Sequence, residues 1–176
     1  MWKSCLALLA GAALAFSARG EGTDRVINLE GVPAPPPAWK AEPPVSMLHL
    51  AQFRLKGKEG DAQLVLHRIV GGNAPADNVE RWREQFVPPD GQALDDVTTY
   101  GAITVGGTKA TRLDVGGTWK PARFDLGAGD KAKLNYKMVV IDFNTEDAAF
   151  QIRLVGPGCT VDEHLKEFDD WLKAFK

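Results

Sequence analysis

Residues 136–176 read YKMVVIDFNTEDAAFQIRLVGPGCTVDEHLKEFDDWLKAFK. Two apolar runs with few charges, Tyr136 to Phe143 and Ala149 to Val155, flank the polar tetrad Asn144-Thr-Glu-Asp147. That is the pattern of a hairpin whose strands are covered on both faces. A strand-to-helix turn at Gly156-Pro-Gly158 follows. Leu165, Phe168, Leu172 and Phe175 then recur at helical spacing, with Lys166, Glu167, Asp170 and Lys173 on the opposite face. Thr160 and Glu163 have the spacing of a capping box, and Trp171 widens the apolar stripe. Doubly covered strands beside an amphipathic helix call for a sheet with helices packed on it.

Working toward the N-terminus, Thr98 to Val105 and Thr108 to Val115 read as strands joined at Gly106-Gly107, which can supply the positive φ of a tight hairpin. Leu48 to Leu55 and Asp61 to Ile69 form a third hairpin around the turn 56–60. Between these pairs, Asn73 offers a helix cap and Pro75 suits a first turn. Val79, Trp82 and Phe86 share one helical face, Glu80, Arg81, Arg83 and Glu84 the other, and Pro88-Pro89 stops the helix. Gly116 to Gly129 is polar and aperiodic around Trp119 and Phe124. The order is two strands, helix, four strands, helix. It predicts an α/β (α+β) chain, an α/β/α sandwich with a mainly antiparallel six-stranded sheet and two main helices.

The first residues have the layout of a secretory signal: Lys3, an apolar stretch from Leu6 to Phe16, then small residues suited to cleavage. The stretch is shorter than the roughly 20 apolar residues of a membrane span, and no later segment approaches that length. The expected organisation is a signal over 1–20, a Pro-rich leader over 21–45 and one domain over 46–176. Six prolines between Pro33 and Pro44 favour extended backbone in the leader, and Trp39 is expected to staple it to the domain. Cleavage after Gly20 removes Lys3 and Arg19, taking the formal charge from -2 to -4. No basic run remains, which argues against a nucleic-acid partner. Cys5 leaves with the signal, so Cys159 has no intramolecular disulfide partner; it reads as a small buried residue at the start of the last helix.

Motifs for catalysis and cofactors fail on particular residues. Val161 stands at the third glycine position after Gly156-Pro-Gly158, and the glycine spacing at Gly101 to Gly106 is followed by Gly107 instead of a phosphate-binding lysine. The mature chain has one serine, Ser46, in no nucleophile elbow, and no paired metal-ligand spacing. No catalytic set, metal site or cofactor is predicted. One pair carries an alternative: if Leu55 pairs with Asp61, His49 falls opposite His67, whereas a one-residue slip puts them on opposite faces.

Several segments together carry a resemblance. These are Gly71-Gly72, the helix Asn78-Val79-x-Arg81-Trp82-x-x-Gln85-Phe86, the strand-turn Leu113-Asp114-Val-Gly-Gly-Thr118, and Arg153-Leu-Val-Gly-Pro157 before the last helix. In that order, across residues 39–176, the chain resembles uncharacterised exported proteins of planctomycete-type bacteria, with an architecture similar to the PsbP-like sandwich. The resemblance implies a protein that works by contact, as the photosystem II subunit PsbP and a Ran-binding nucleotide-release factor do, and it supplies no catalytic residues. The expected function is a non-catalytic exported binding or assembly module for an envelope or secreted protein, with Asn78, Arg81, Gln85 and Trp119 as contact residues. A small-molecule or lipid carrier, with its cavity between sheet and helices under loop 116–129, is one alternative. A metal-dependent hydrolase using His49 and His67 is the other.

Overall fold

The computed structural model describes residues 31–69, 75–122, 131–145 and 148–176, and the side chains of 75–77 are not described. The expected signal 1–20, the Asn73 cap, Gly71-Gly72 and Phe124 lie outside the described residues.

Gly106 and Gly107 take φ values of 54° and 79°, which lets β5 (Thr98–Val105) turn tightly into β6 (Thr108–Trp119). β6 pairs with β7 (Lys133–Asn144), and β7 turns back into β8 (Ala149–Pro157). β8 pairs with β3 (Ala62–Ile69), which pairs with β2 (His49–Leu55). Two further strands complete the sheet: β1 (Trp39–Ala41) beside β2, and β4 (Phe86–Val87) beside the end of β6. All pairings are antiparallel, and the order is β1-β2-β3-β8-β7-β6-β4 with β5 also on β6.

The predicted α+β class and the six main strands are present, but the sheet has eight strands, not six. The additions are short, and one lies where the sequence suggested only leader. Prolines are tolerated beside an edge strand, which lets the Pro-rich segment supply β1. The other arises because α1 (Pro75–Arg83) ends before Phe86, so that residue joins the sheet instead of the helix.

Alternation along β7 divides the core. Val139, Ile141 and Phe143 face α2 (Gly158–Lys173), where they pack with Leu64, Leu66, Ile152, Phe168 and Trp171. Met138 and Val140 face the other way, toward Val79, Phe86, Leu113 and Trp119, with Trp82 packed alongside. The helices therefore cover opposite faces of one sheet, unequally: α2 has 16 residues and α1 has nine.

The start of α2 differs from the expected capping box. Pro157 occupies the cap position, and Thr160 sits one turn in, fully buried, donating from Oγ1 to the Gly60 carbonyl at 2.8 Å. The hydroxyl fastens the β2–β3 turn to α2. A Cβ on Gly57 would lie 2.1 Å from that hydroxyl, so only glycine fits there. Cys159 is exposed, not buried, because the first turn points it outward; a hydrogen bond to Glu59 raises its thiol pKa, so it is no activated nucleophile.

Trp39 does staple the leader. It is 5% exposed, its Nε1 donates to Glu167 at 2.7 Å, and its ring packs on Phe53 and Trp171. Trp171 in turn donates to the Pro33 carbonyl at 3.1 Å. His164 tightens the same corner, meeting Glu167 at 3.4 Å and the Lys56 carbonyl at 2.9 Å. Trp39→Ala is expected to cost about 3–5 kcal/mol in urea unfolding, as for a core aromatic. A loss below about 1 kcal/mol, the scale of an ordinary surface change, would show that this segment is not part of the folding unit.

Candidate functional site

The sheet face beneath α1 carries the polar chemistry of the molecule, and the pairing of β2 with β3 decides which residues reach it. Leu55 pairs with Ala62, not Asp61, and that register continues to Ala51 opposite Leu66. Extended without change, it would place His49 opposite Arg68, on the wrong face. A bulge between His49 and Ala51 resets the ladder, and His49 stands opposite His67. The ring centroids are 4.7 Å apart, edge to face. The two histidines meet although the pairing on which the sequence made that conditional, Leu55 with Asp61, does not form.

Both histidines line a cleft of about 570 Å³ between the sheet and α1. Asn78 and Arg81 of α1, with Gln85 in the turn that follows it, form one wall, and Arg153 of β8 lies in its floor. Asn78 is 8% exposed, and its side-chain oxygen accepts a hydrogen bond from the Arg81 guanidinium. Gln85 is held through its side-chain oxygen, which accepts from Trp119 Nε1 at 2.8 Å. Trp119 itself ends β6, buried in the core and stacked on Tyr136 with centroids 5.7 Å apart. Three of the four expected contact residues thus converge, and Trp119 positions one of them from beneath.

The sequence reading overlooked Arg153, Gln151 and Asp142 because they sit inside apolar runs. Charged or amide groups in doubly covered strands were the available signal. Asp142 and Gln151 belong to one cross-strand row, with Arg153 two residues along β8 from it: Thr111 opposite Asp142, Asp142 opposite Gln151, Gln151 opposite His67, and His67 opposite His49. Trp82 lies over it, donating from Nε1 to Gln151 while its ring stands 4.1 Å from the Arg153 guanidinium carbon. Asp142 Oδ1, Gln151 Nε2 and His67 Nε2 are buried with no hydrogen-bond partner among the described residues. Such groups cost about 1–3 kcal/mol each when left unmade, so three in one row mark a surface kept for something other than stability.

Electrostatics follows burial. Desolvation first, then the charges of Arg153 and His49, pushes His67 down to about 3, so its imidazole is neutral at ordinary pH. Desolvation also pushes Asp142 up to about 6. Beyond α1, Asp142 lines a second cleft of about 610 Å³ with Glu80, Tyr100 and Lys109. There the Tyr100 hydroxyl donates to Glu80, and burial followed by that contact pushes the phenol up to about 12.

Ser46, at the cleft mouth, uses its hydroxyl to accept from the Leu48 amide at 3.2 Å. No group of three or more His, Cys, Asp or Glu that could hold a metal gathers among the described residues, so the histidine pair gains no third such donor there. No helix among the described residues is long and apolar enough to cross a membrane.

No family profile matches the chain, and no curated protein does. Solved structures similar to it include two of low identity. PA94 of Pseudomonas aeruginosa, a protein of unknown function, shares 15% identity over 71% of this chain and 80% of its own, with a TM-score of 0.46. LpqN of Mycobacterium tuberculosis, involved in cell envelope biogenesis, shares 16% over 80% of this chain and 78% of its own, with a TM-score of 0.44.

The two perturbed groups act on stability in opposite directions. The unfolded state protonates histidine near 6.5 while folded His67 resists to about 3, so stability from His67 is lost as pH falls through that window. Folded Asp142 holds its proton to about 6 against 3.8 when unfolded, so its effect is a loss of stability as pH rises from about 4 to 6. Asp142→Asn should therefore gain about 1–2 kcal/mol at pH 7 relative to pH 4 when compared with the parent. Urea midpoints across that range check it, and an unchanged pH slope would refute the assignment.

Proposed function

We propose that the chain is an exported, non-catalytic binding module and that the cleft beneath α1 is its contact surface. One observation carries the reading: Asn78, Arg81 and Gln85 converge with His49, His67 and Arg153 on one concavity of about 570 Å³. That volume lies within the range of small-ligand sites. Export rests on the pattern of residues 1–20, which also favours an envelope or secreted partner. An antiparallel sheet with one helix on each face supports the PsbP-like assignment.

The carrier reading gains from the same cleft, because it lies between sheet and helix where a carrier would need its cavity. Its arginines, histidines and amides suit a polar cargo better than an acyl chain.

Purification of the secreted chain from its native host, with gentle cross-linking and native mass spectrometry, tests both readings. A defined bound species is expected, either a small molecule or an envelope protein cross-linked beside α1. Arg81 is solvent-exposed but donates to the buried Asn78 oxygen, so Arg81→Glu should cost about 1–3 kcal/mol while abolishing that species in protein that remains folded. Parent protein that is always solitary and empty, or a bound species indifferent to Arg81→Glu, would overturn the proposal.

A further inference from the structure

The ligand's chemical class follows from the groups that the cleft offers. Arg81 stands on its wall and Arg153 in its floor, against Glu84 as the one acidic side chain among the described lining residues. Among the described side chains, Glu80 and Asp142 line the second cleft together with Lys109. The cleft beneath α1 thus sets two arginines against one glutamate among its described lining, in a chain whose formal charge is -2.

Hydrogen-bonding capacity points the same way. Gln151, 3% exposed and opposite His67 on the neighbouring strand, uses its oxygen to hold the Trp82 indole. His67 lines the cleft, its Nε2 is buried without a partner among the described residues, and a neutral imidazole can donate from it. Arg81 sends one guanidinium nitrogen to Asn78, an arrangement that aims the planar fork while leaving its other N–H groups. A surface rich in donors and positive charge is completed by a ligand rich in acceptors and negative charge. Leu48, 53% exposed, and Trp82 add apolar surface at the same cleft, and the volume exceeds what a bare inorganic ion would fill.

We infer that the cleft binds a small organic oxyanion, a carboxylate or phosphate on a short carbon body, with Arg81 engaging the anionic group and the His67 imidazole donating to it from the floor. This inference rests on the proposed reading of the cleft as the contact surface.

The full chain, labelled with nitrogen-15, is titrated at low ionic strength with succinate, with phenyl phosphate and, as a charge control, with tetramethylammonium. The Trp82 indole N–H and the histidine ring nitrogens are followed by NMR. Saturable shifts are expected with at least one of the two anions and not with the cation. Tighter binding of succinate assigns the natural group as a carboxylate, and tighter binding of phenyl phosphate assigns a phosphate. Arg81→Gln should weaken binding at least about tenfold in protein that still melts cooperatively, and Arg81→Lys should recover part of it, since lysine keeps the charge without the fork. Anion shifts that are unsaturable, absent, or as strong in Arg81→Gln would overturn the inference. Saturable binding of tetramethylammonium alone would overturn it while leaving the cleft as a contact surface. If the species recovered from the native host also leaves Trp82 and the histidines unmoved, both the inference and the contact reading fall.

Discussion

Between Ala51 and His49 the pairing of β2 with β3 slips by one residue, and Leu50 is the residue left over. Strand alternation would otherwise send Ala51 and Leu50 to opposite faces and turn His49 into the apolar layer under α2. The bulge lets Leu50 and Ala51 both pack against the α2-side core while His49 faces α1. One inserted residue thus keeps two apolar side chains in the oil and delivers an imidazole to the polar row. The cleft depends on it: without the bulge His67 would lack its ring partner, and the floor would end at β3.

The two faces of the sheet are built to different standards. The α2 face is dry and close-packed, with Leu64, Leu66, Ile141, Ile152, Leu154 and Phe168 almost wholly buried. It is also fastened at its margins by Thr160 on the Gly60 carbonyl and by Trp39 on Glu167. The α1 face combines a smaller apolar cluster with buried Asp142, Gln151 and Arg153. Burying such groups without full hydrogen bonding works against folding. The well-packed face supplies the stability that lets the other carry a polar surface, which is how function and folding commonly divide a small domain.

Sequence periodicity exposed the scaffold better than the site. Hairpins and the α2 stripe were legible because apolar spacing and paired glycines are local signals. The short strands β1 and β4 were not, since three and two residues have no period and exist only because a neighbouring edge was free. Thr160 resembled a cap from its spacing to Glu163, yet a tertiary partner, the Gly60 carbonyl, claimed its hydroxyl. Asn78, Arg81 and Gln85 could be read as one cluster because they share a helical segment. Beneath them, Gln151 and Arg153 share a face by simple alternation along β8, but Asp142 and His67 join that pair only through strand register, and the His49 register turned on a bulge.

Arg153 gives the clearest case of placement overruling composition. A guanidinium in the run Gln151-Ile-Arg-Leu-Val155 looks like an error in a central strand, since a buried charge is expensive. Here its flat face lies against the Trp82 ring, the partner to which a weakly hydrated planar cation is best matched. Its positive charge is one of the reasons His67 stays neutral. Positive potential and hydrogen-bond donation are thereby assigned to different residues, fixed charge to the arginines and a neutral imidazole to the histidine. Because Arg153 sits on a central strand under an indole, and not on a loop, its position is set before any ligand arrives, and little ordering is left to oppose binding.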